Sequence, residues 1–94
     1  MIPPDAATGR DALAEQRREL ARARDKALQN LLITQEYAQE GRRSREDVTA
    51  AAAEAEAACQ AVTAFDAMHP HIRTTGNAED DAQALRGLQR LTGA

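Results

Sequence analysis

The residues best suited to chemistry in this 94-residue chain are Cys59, His69 and His71. A thiolate and imidazoles are good ligands for transition metals, and a cysteine beside a histidine can form a nucleophilic site. Cys59 precedes His69 by ten residues, almost three helical turns, so one chain does not readily bring both to one ion. No second cysteine completes a common zinc set, and the nearest charge to Cys59 is Glu56. We therefore expect no metal, no cofactor and no catalytic residue, and we interpret Cys59 as a small hydrophobic residue beside a helix seam.

Arginines form two groups that could bind a partner. The first is interleaved with acids, and Glu19 and Arg22 have the spacing of a helical ion pair. Its basic members are Arg17, Arg18, Arg22, Arg24 and Lys26. The second, Arg42, Arg43 and Arg45, is the more exposed candidate for binding an acidic protein surface. Nucleic-acid binding would require a basic stripe and aromatic residues for stacking, whereas the net charge is −3 and the aromatic residues are one Phe and one Tyr. The pattern favours a protein partner, with nucleic acid as the alternative ligand of the same three arginines.

The elements that position these residues are predicted to be helices. No glycine or proline interrupts residues 10–40, which predicts a first helix of about 45 Å. Gly41 is a suitable left-handed end to that helix. A break of four residues between two helices with apolar stripes indicates an antiparallel hairpin.

Capping residues delimit the second and third helices. At the start of the second helix, Ser44 and Asp47 have the spacing of an N-cap and an acidic residue at the third helical position. At its end, Pro70 disfavours a helical conformation in the residue before it. The second helix is therefore predicted over residues 45–68. Asn77 is the predicted N-cap of a short third helix over residues 78–92. The leucines of this helix recur every third residue, and the stripe they form should pack on the hairpin or on another chain.

Both long helices carry an apolar stripe. In the second helix the stripe follows a seven-residue repeat and consists mostly of alanine, which allows two helix backbones to approach closely. The residues predicted to form the core seam, or a face for self-association, are Leu20, Leu28, Leu31, Ala51, Ala55, Ala58, Val62 and Phe65.

Length and composition predict one small domain. We expect a flexible lead-in over residues 1–9 and a single helical domain over residues 10–94. The chain has 22 alanines and few large apolar residues, so a monomer would bury a thin core. Thin cores of this size are commonly completed by self-association or by a partner, and a dimer is the favoured homo-oligomer.

Charge and apolar content bear on partners and location. Residues 1–45 carry a net charge of +2 and residues 46–94 a net charge of −5, which favours antiparallel pairing within the chain or between copies. A single cysteine suggests a reducing compartment. No apolar stretch approaches the ~18 residues of a membrane span, and the first residues do not resemble a secretory signal. We expect a cytoplasmic protein without a membrane contact.

These observations predict an all-α protein that is not an enzyme. The function we expect is that of a small helical protein-interaction module, a regulator, inhibitor or adaptor that docks on a larger protein complex. Usage rich in alanine and arginine suggests a GC-rich bacterial, phage or mobile-element genome. The alternatives are a self-assembling structural subunit and a nucleic-acid-associated helical module.

Overall fold

The described residues form three α-helices and one short 3₁₀ helix. The computed structural model describes residues 4–72 and 75–93, and it describes side chains for residues 9–72 and 77–93. The helices are α1 (Pro4–Gln39), α2 (Arg45–Met68) and α3 (Thr75–Thr92), and the 3₁₀ helix (Pro70–Ile72) lies between α2 and α3. The described ranges contain no strand. The predicted all-α fold, a long antiparallel hairpin with a shorter third helix, is confirmed.

Two helices begin earlier than predicted. α1 begins at Pro4 rather than at residue 10. Proline suits the first turn because its missing N–H has no helical partner there. The predicted lead-in therefore overlaps α1 over residues 4–9, while residues 1–3 lie outside the described part of the chain. α3 begins at Thr75 rather than at residue 78, so Asn77 lies inside its first turn instead of capping it.

Backbone and side-chain caps define the turn of the hairpin. Gly41 has a φ of 76°, which a residue with a side chain adopts only under strain. Its N–H donates to the carbonyl of Ala38 at 3.1 Å and the N–H of Arg42 donates to the carbonyl of Tyr37 at 2.8 Å, the two bonds of a Schellman motif. On the other side Ser44 and Asp47 form the predicted cap as a reciprocal capping box.

The alanine stripe of α2 packs against α1. Leu31 and Ala55 are completely buried and form one cluster with Ala51, which confirms that α1 and α2 approach closely at this seam. Within the predicted seam, the buried residues are Leu31, Ala51, Ala55, Val62 and Phe65, and the half-buried residues are Leu20, Leu28 and Ala58.

α3 packs along the hairpin with its C-terminal half nearest the core cluster. Leu88 and Leu91 pack against that cluster, and Ala84 is buried. The side-chain amide of Gln35 donates to the carbonyl of Leu91, so α1 satisfies one carbonyl at the end of α3. α3 makes far fewer contacts with either long helix than they make with each other. Its attachment therefore depends on a small apolar contact and on polar groups described below.

The part of the chain that the structure describes is rod-shaped. Its principal extents are 63 × 19 × 17 Å, because α1 sets the length and three helices set the width. None of the described helices has the length and apolar content that a membrane span needs.

Overpacking the seam provides a test of this core. Ala55→Leu should lower the free energy of unfolding by about 1–3 kcal/mol, because a fully buried methyl offers no room for an isobutyl group. Ala53→Leu is the matched control, since Ala53 is exposed on the same helix and should change stability by less than about 0.5 kcal/mol. Urea unfolding followed by circular dichroism measures both, and equal stabilities would contradict the packing described here.

Candidate interaction surfaces

The three arginines predicted to bind a partner lie together at the turn of the hairpin. Arg42, Arg43 and Arg45 are all exposed. The guanidinium carbon of Arg42 lies 4.9 Å from the ring centroid of Tyr37, a cation–π distance, and its Nη1 lies 3.5 Å from a carboxylate oxygen of Glu40. We call residues 37–45 the tip.

The cap of α2 holds the tip in one conformation. The N–H of Asp47 donates to Ser44 Oγ and the N–H of Ser44 donates to Asp47 Oδ2, both at 3.1 Å. The bond from the Ser44 backbone lowers the pKa of Asp47, with smaller contributions from the Ser44 hydroxyl and Arg43. Three arginines are therefore presented by a turn whose backbone is fixed on both sides.

The first arginine group divides into exposed and buried members. Arg18 and Arg22 are exposed and both donate to Glu15, at 2.7 and 3.1 Å. These bonds, the one from Arg18 first, lower the pKa of Glu15. The sequence favoured Glu19 as the partner of Arg22, but Arg22 reaches back seven residues to Glu15 instead.

Arg17 and Arg24 are the buried members, and each is only 3% exposed. Arg17 donates from Nε and Nη2 to both carboxylate oxygens of Asp66 at 2.8 Å, and its Nη2 also donates to Asp81 at 2.7 Å. Arg24 donates from Nη1 to the other oxygen of Asp81 and from Nε to Asp25 at 3.1 Å. Asp66 is on α2 and Asp81 is on α3, so this arginine cluster joins all three helices.

Charge pairing keeps the buried arginines ionised. Hydrogen bonding to Asp66 raises the pKa of Arg17 against the opposing effect of burial. Burial acts most strongly on the pKa of Arg24 and lowers it, but the bonds to Asp81 and Asp25 outweigh burial, and the pKa is raised. Every buried side-chain nitrogen and oxygen of the described residues has a hydrogen-bond partner. The cluster is therefore a hydrogen-bonded network in which the buried polar atoms of the described residues are satisfied.

The sequence placed these two arginines in a basic run interleaved with acids and did not predict their burial, although one signal could have indicated it. Arg17, Arg24 and Leu31 are spaced by seven residues, so they share one stripe of α1, and Leu31 is completely buried. The partners of Arg17 are 49 and 64 residues away in sequence, and the partner of Arg24 on α3 is 57 residues away. No local pattern identifies such a pairing.

A groove runs between α2 and α3 beside the cluster. It consists of two adjoining half-open cavities of about 380 and 520 Å³, which share Cys59, Thr63 and Leu85. The first cavity has Asp66 and Asp81 in its wall. The second is mainly apolar and continues towards the end of α3. We call this feature the α2–α3 groove.

Cys59 and the two histidines lie in different surroundings. Cys59 is half-buried in the groove, and burial is the main cause that raises the pKa of its thiol, which disfavours the nucleophilic thiolate. The ring centroids of His69 and Phe65 are 4.8 Å apart, and those of His69 and His71 are 6.2 Å apart. Among the described residues no three His, Cys, Asp or Glu side chains are grouped to hold a metal ion.

Comparisons with protein-family models, curated proteins and solved structures gave no match to this chain.

Removing one carboxylate should show how far α3 depends on the arginine cluster. Asp81→Asn keeps the shape of the side chain but removes the negative charge that pairs with the almost fully buried guanidiniums of Arg17 and Arg24. We therefore expect the free energy of unfolding to fall by about 2–4 kcal/mol. Asp80→Asn, one residue earlier and exposed, is the matched control. Urea unfolding gives the stabilities, and hydrogen exchange should show faster exchange in α3 than in the α1–α2 seam. Equal effects of the two variants would contradict the role of Asp81.

The capping box predicts a pH dependence. The pKa of Asp47 is lower in the folded state than in the unfolded chain, so its stabilising effect is present above the unfolded pKa and is lost as pH falls through the folded pKa. The difference in unfolding free energy between the parent protein and Asp47→Asn should therefore shrink as the solution is acidified from neutral pH. Urea unfolding of both proteins at a series of pH values measures this difference in unfolding free energy. A difference that does not change with pH would show that the carboxylate does not act through its charge.

Proposed function

We propose that this protein is a non-catalytic helical interaction module that docks on an acidic surface of a larger protein complex through Arg42, Arg43 and Arg45. In that role it acts as a regulator, inhibitor or adaptor. The observation that supports the proposal best is the division of the arginines. Those of the α1 core are bonded to carboxylates inside the molecule, whereas those of the tip are exposed on a capped turn.

The geometry of the tip suits recognition of carboxylates. Arginine presents a planar set of donors that matches a carboxylate, and a turn fixed by a Schellman motif and a capping box loses little backbone entropy on binding. The nearby acids are partly engaged: Asp47 accepts from Ser44, and Glu40 lies by Arg42. Arg43 and Arg45 then provide the charge directed at a partner.

A non-catalytic role agrees with the state of the reactive groups. The pKa of the Cys59 thiol is raised, and the buried arginines and aspartates are bonded to one another. We keep the cytoplasm as the proposed location, on the ground that a single cysteine suits a reducing compartment.

Self-association into a dimer is the second part of the proposal. The predicted seam residues Leu31, Ala51 and Ala55 are used inside the chain, so they leave no face for a second copy. Exposed apolar residues remain elsewhere, and they include Leu32, Ile33 and Leu85. A self-assembling structural subunit is the alternative if no other protein binds the tip.

Charge reversal at the tip tests the docking proposal. Arg42→Glu/Arg43→Glu/Arg45→Glu should leave helix content unchanged and reduce recovery of the partner in a nuclease-treated pull-down from source-cell lysate by at least about tenfold. The control is Arg10→Glu/Arg18→Glu/Arg22→Glu, which makes the same change in net charge on exposed arginines of α1.

The outcomes of that experiment separate the candidates. Loss of one stoichiometric protein with the tip variant alone supports docking through the tip. Equal losses with both variants would contradict a tip-specific site. Recovery that disappears on nuclease treatment would favour the nucleic-acid alternative, which also requires a steep decrease of binding with salt.

A further inference from the structure

α3 rests on the hairpin through one stripe of its own surface. The stripe consists of a carboxylate followed by apolar residues three, seven and ten positions later, namely Asp81, Ala84, Leu88 and Leu91. This spacing places all four on one face of the helix. The carboxylate accepts hydrogen bonds from the two buried arginines of α1, and the leucines pack against the core cluster. The face of the hairpin beneath α3 therefore fits a helix with this pattern.

The buried arginines keep a carboxylate partner when α3 is removed. Arg17 donates to both oxygens of Asp66 on α2 at 2.8 Å, and Arg24 donates to Asp25 of α1 at 3.1 Å. Removal of α3 also admits water to both guanidiniums, so neither becomes an unpaired buried charge, which is the costly outcome for an ion pair. The charge network therefore does not make the folding of the hairpin depend on the presence of α3.

The glycine inside α3 lowers the stability of that helix. Gly87 lies in the helix interior, where glycine is less favourable than alanine, and a Cβ built on it meets no atom within 4 Å. Packing within the chain therefore does not require a glycine here. The 3₁₀ helix that precedes α3 is seated on the hairpin, because Ile72 is buried and its turn contacts both α1 and α2. α3 is thus less stable than its packing allows, and it follows an anchored turn.

We propose that α3 is a releasable lid: it leaves the hairpin as a unit, and the surface that it uncovers binds a helix of a partner protein with the α3 pattern. We call this surface, formed by Arg17, Arg24 and the core cluster, the lid surface. The partner helix supplies a carboxylate to the two guanidiniums and apolar residues three, seven and ten positions later. The lid surface is separate from the tip, so this inference goes beyond the proposed function and does not depend on it.

The internal glycine favours a partner helix over a second copy of this chain as the occupant. The α3 helix of a second copy carries the same glycine and makes the same contacts in its own chain, so an exchange between copies gains nothing. A partner helix that lacks the glycine is intrinsically more stable and competes better for the lid surface. Its charge pattern is fixed by the guanidiniums of Arg17 and Arg24, which bind a carboxylate in a defined geometry.

Native-state hydrogen exchange of the full chain tests the release of α3. The amides of α3 should share one opening and exchange at least about tenfold faster than those of the α1–α2 seam. Gly87→Ala should make that opening about fivefold rarer, because alanine stabilises the helix and its methyl meets no other atom. Gly9→Ala is the matched control, since this glycine is equally open but lies in α1, and α3 should exchange as in the parent. Exchange of α3 and the seam through one common unfolding would overturn the lid.

Binding of a synthetic helix tests the lid surface. The probe is a fluorescent peptide of 18 residues with the sequence of α3, residues 75–92, in which Gly87→Ala removes the glycine. Fluorescence anisotropy should show at least about tenfold tighter binding to the Asp81→Asn full chain than to the parent, because the chain's own α3 then competes less well. The Asp80→Asn chain is the matched control and should bind the peptide as the parent does.

A second peptide and the oligomeric state separate the possible occupants. A peptide that also carries Asp81→Asn should bind the Asp81→Asn chain at least about tenfold more weakly, and equal affinities would overturn recognition of a carboxylate. Absence of peptide binding despite fast exchange of α3 would overturn binding of a partner helix. A parent dimer that the peptide converts to monomers in sedimentation would identify a second copy as the occupant and overturn the partner helix. The variant with three tip arginines reversed to glutamate should give the parent result throughout, which keeps the lid separate from docking through the tip.

Discussion

The arrangement of the three helices depends on two buried arginines. Arg17 binds Asp66 of α2 and Asp81 of α3, and Arg24 binds the same Asp81. Burial of such charges is costly, and a buried ion pair is not by itself a source of stability. What these bonds provide is direction, since a bidentate bond fixes both the distance and the rotation of the carboxylate relative to α1. We infer that the cluster sets the position of α3 more than it adds to the total stability.

The alanine seam explains why the position of α3 depends on the arginine cluster. Alanine lets α1 and α2 approach closely, and Leu31 of α1 forms one buried cluster with Ala51 and Ala55 of α2. A seam of methyl groups has little area with which to hold a third helix, and among the described residues Leu88 and Leu91 are those that extend the cluster onto α3. Apolar packing therefore defines the hairpin, whereas hydrogen-bonded charge fixes the helix that follows it.

The sequence predicts those parts of the fold that depend on neighbouring residues. Gly41 and the Ser44–Asp47 cap act within one turn, so the hairpin and its break could be predicted from their spacing. The start of α3 was predicted three residues late because Asn77 has the properties of a cap but lies in the first turn. The burial of Arg17 and Arg24 depends on their bonds to Asp66 and Asp81, which are distant in sequence and come close only in the tertiary fold. The open groove beside α3 could not be predicted for the same reason, since it exists only once Asp81 has positioned that helix.

Internal pairing also determines which charges remain available to partners. The charges of Arg17, Arg24, Asp66 and Asp81 cancel inside the molecule, so the net charge of −3 belongs to the remaining residues. The tip and the groove differ in physical character, one charged and the other mainly apolar. The arginines of the tip lie outside this cancellation, so the charge that a partner can meet depends on which carboxylates the fold brings to the buried arginines of α1.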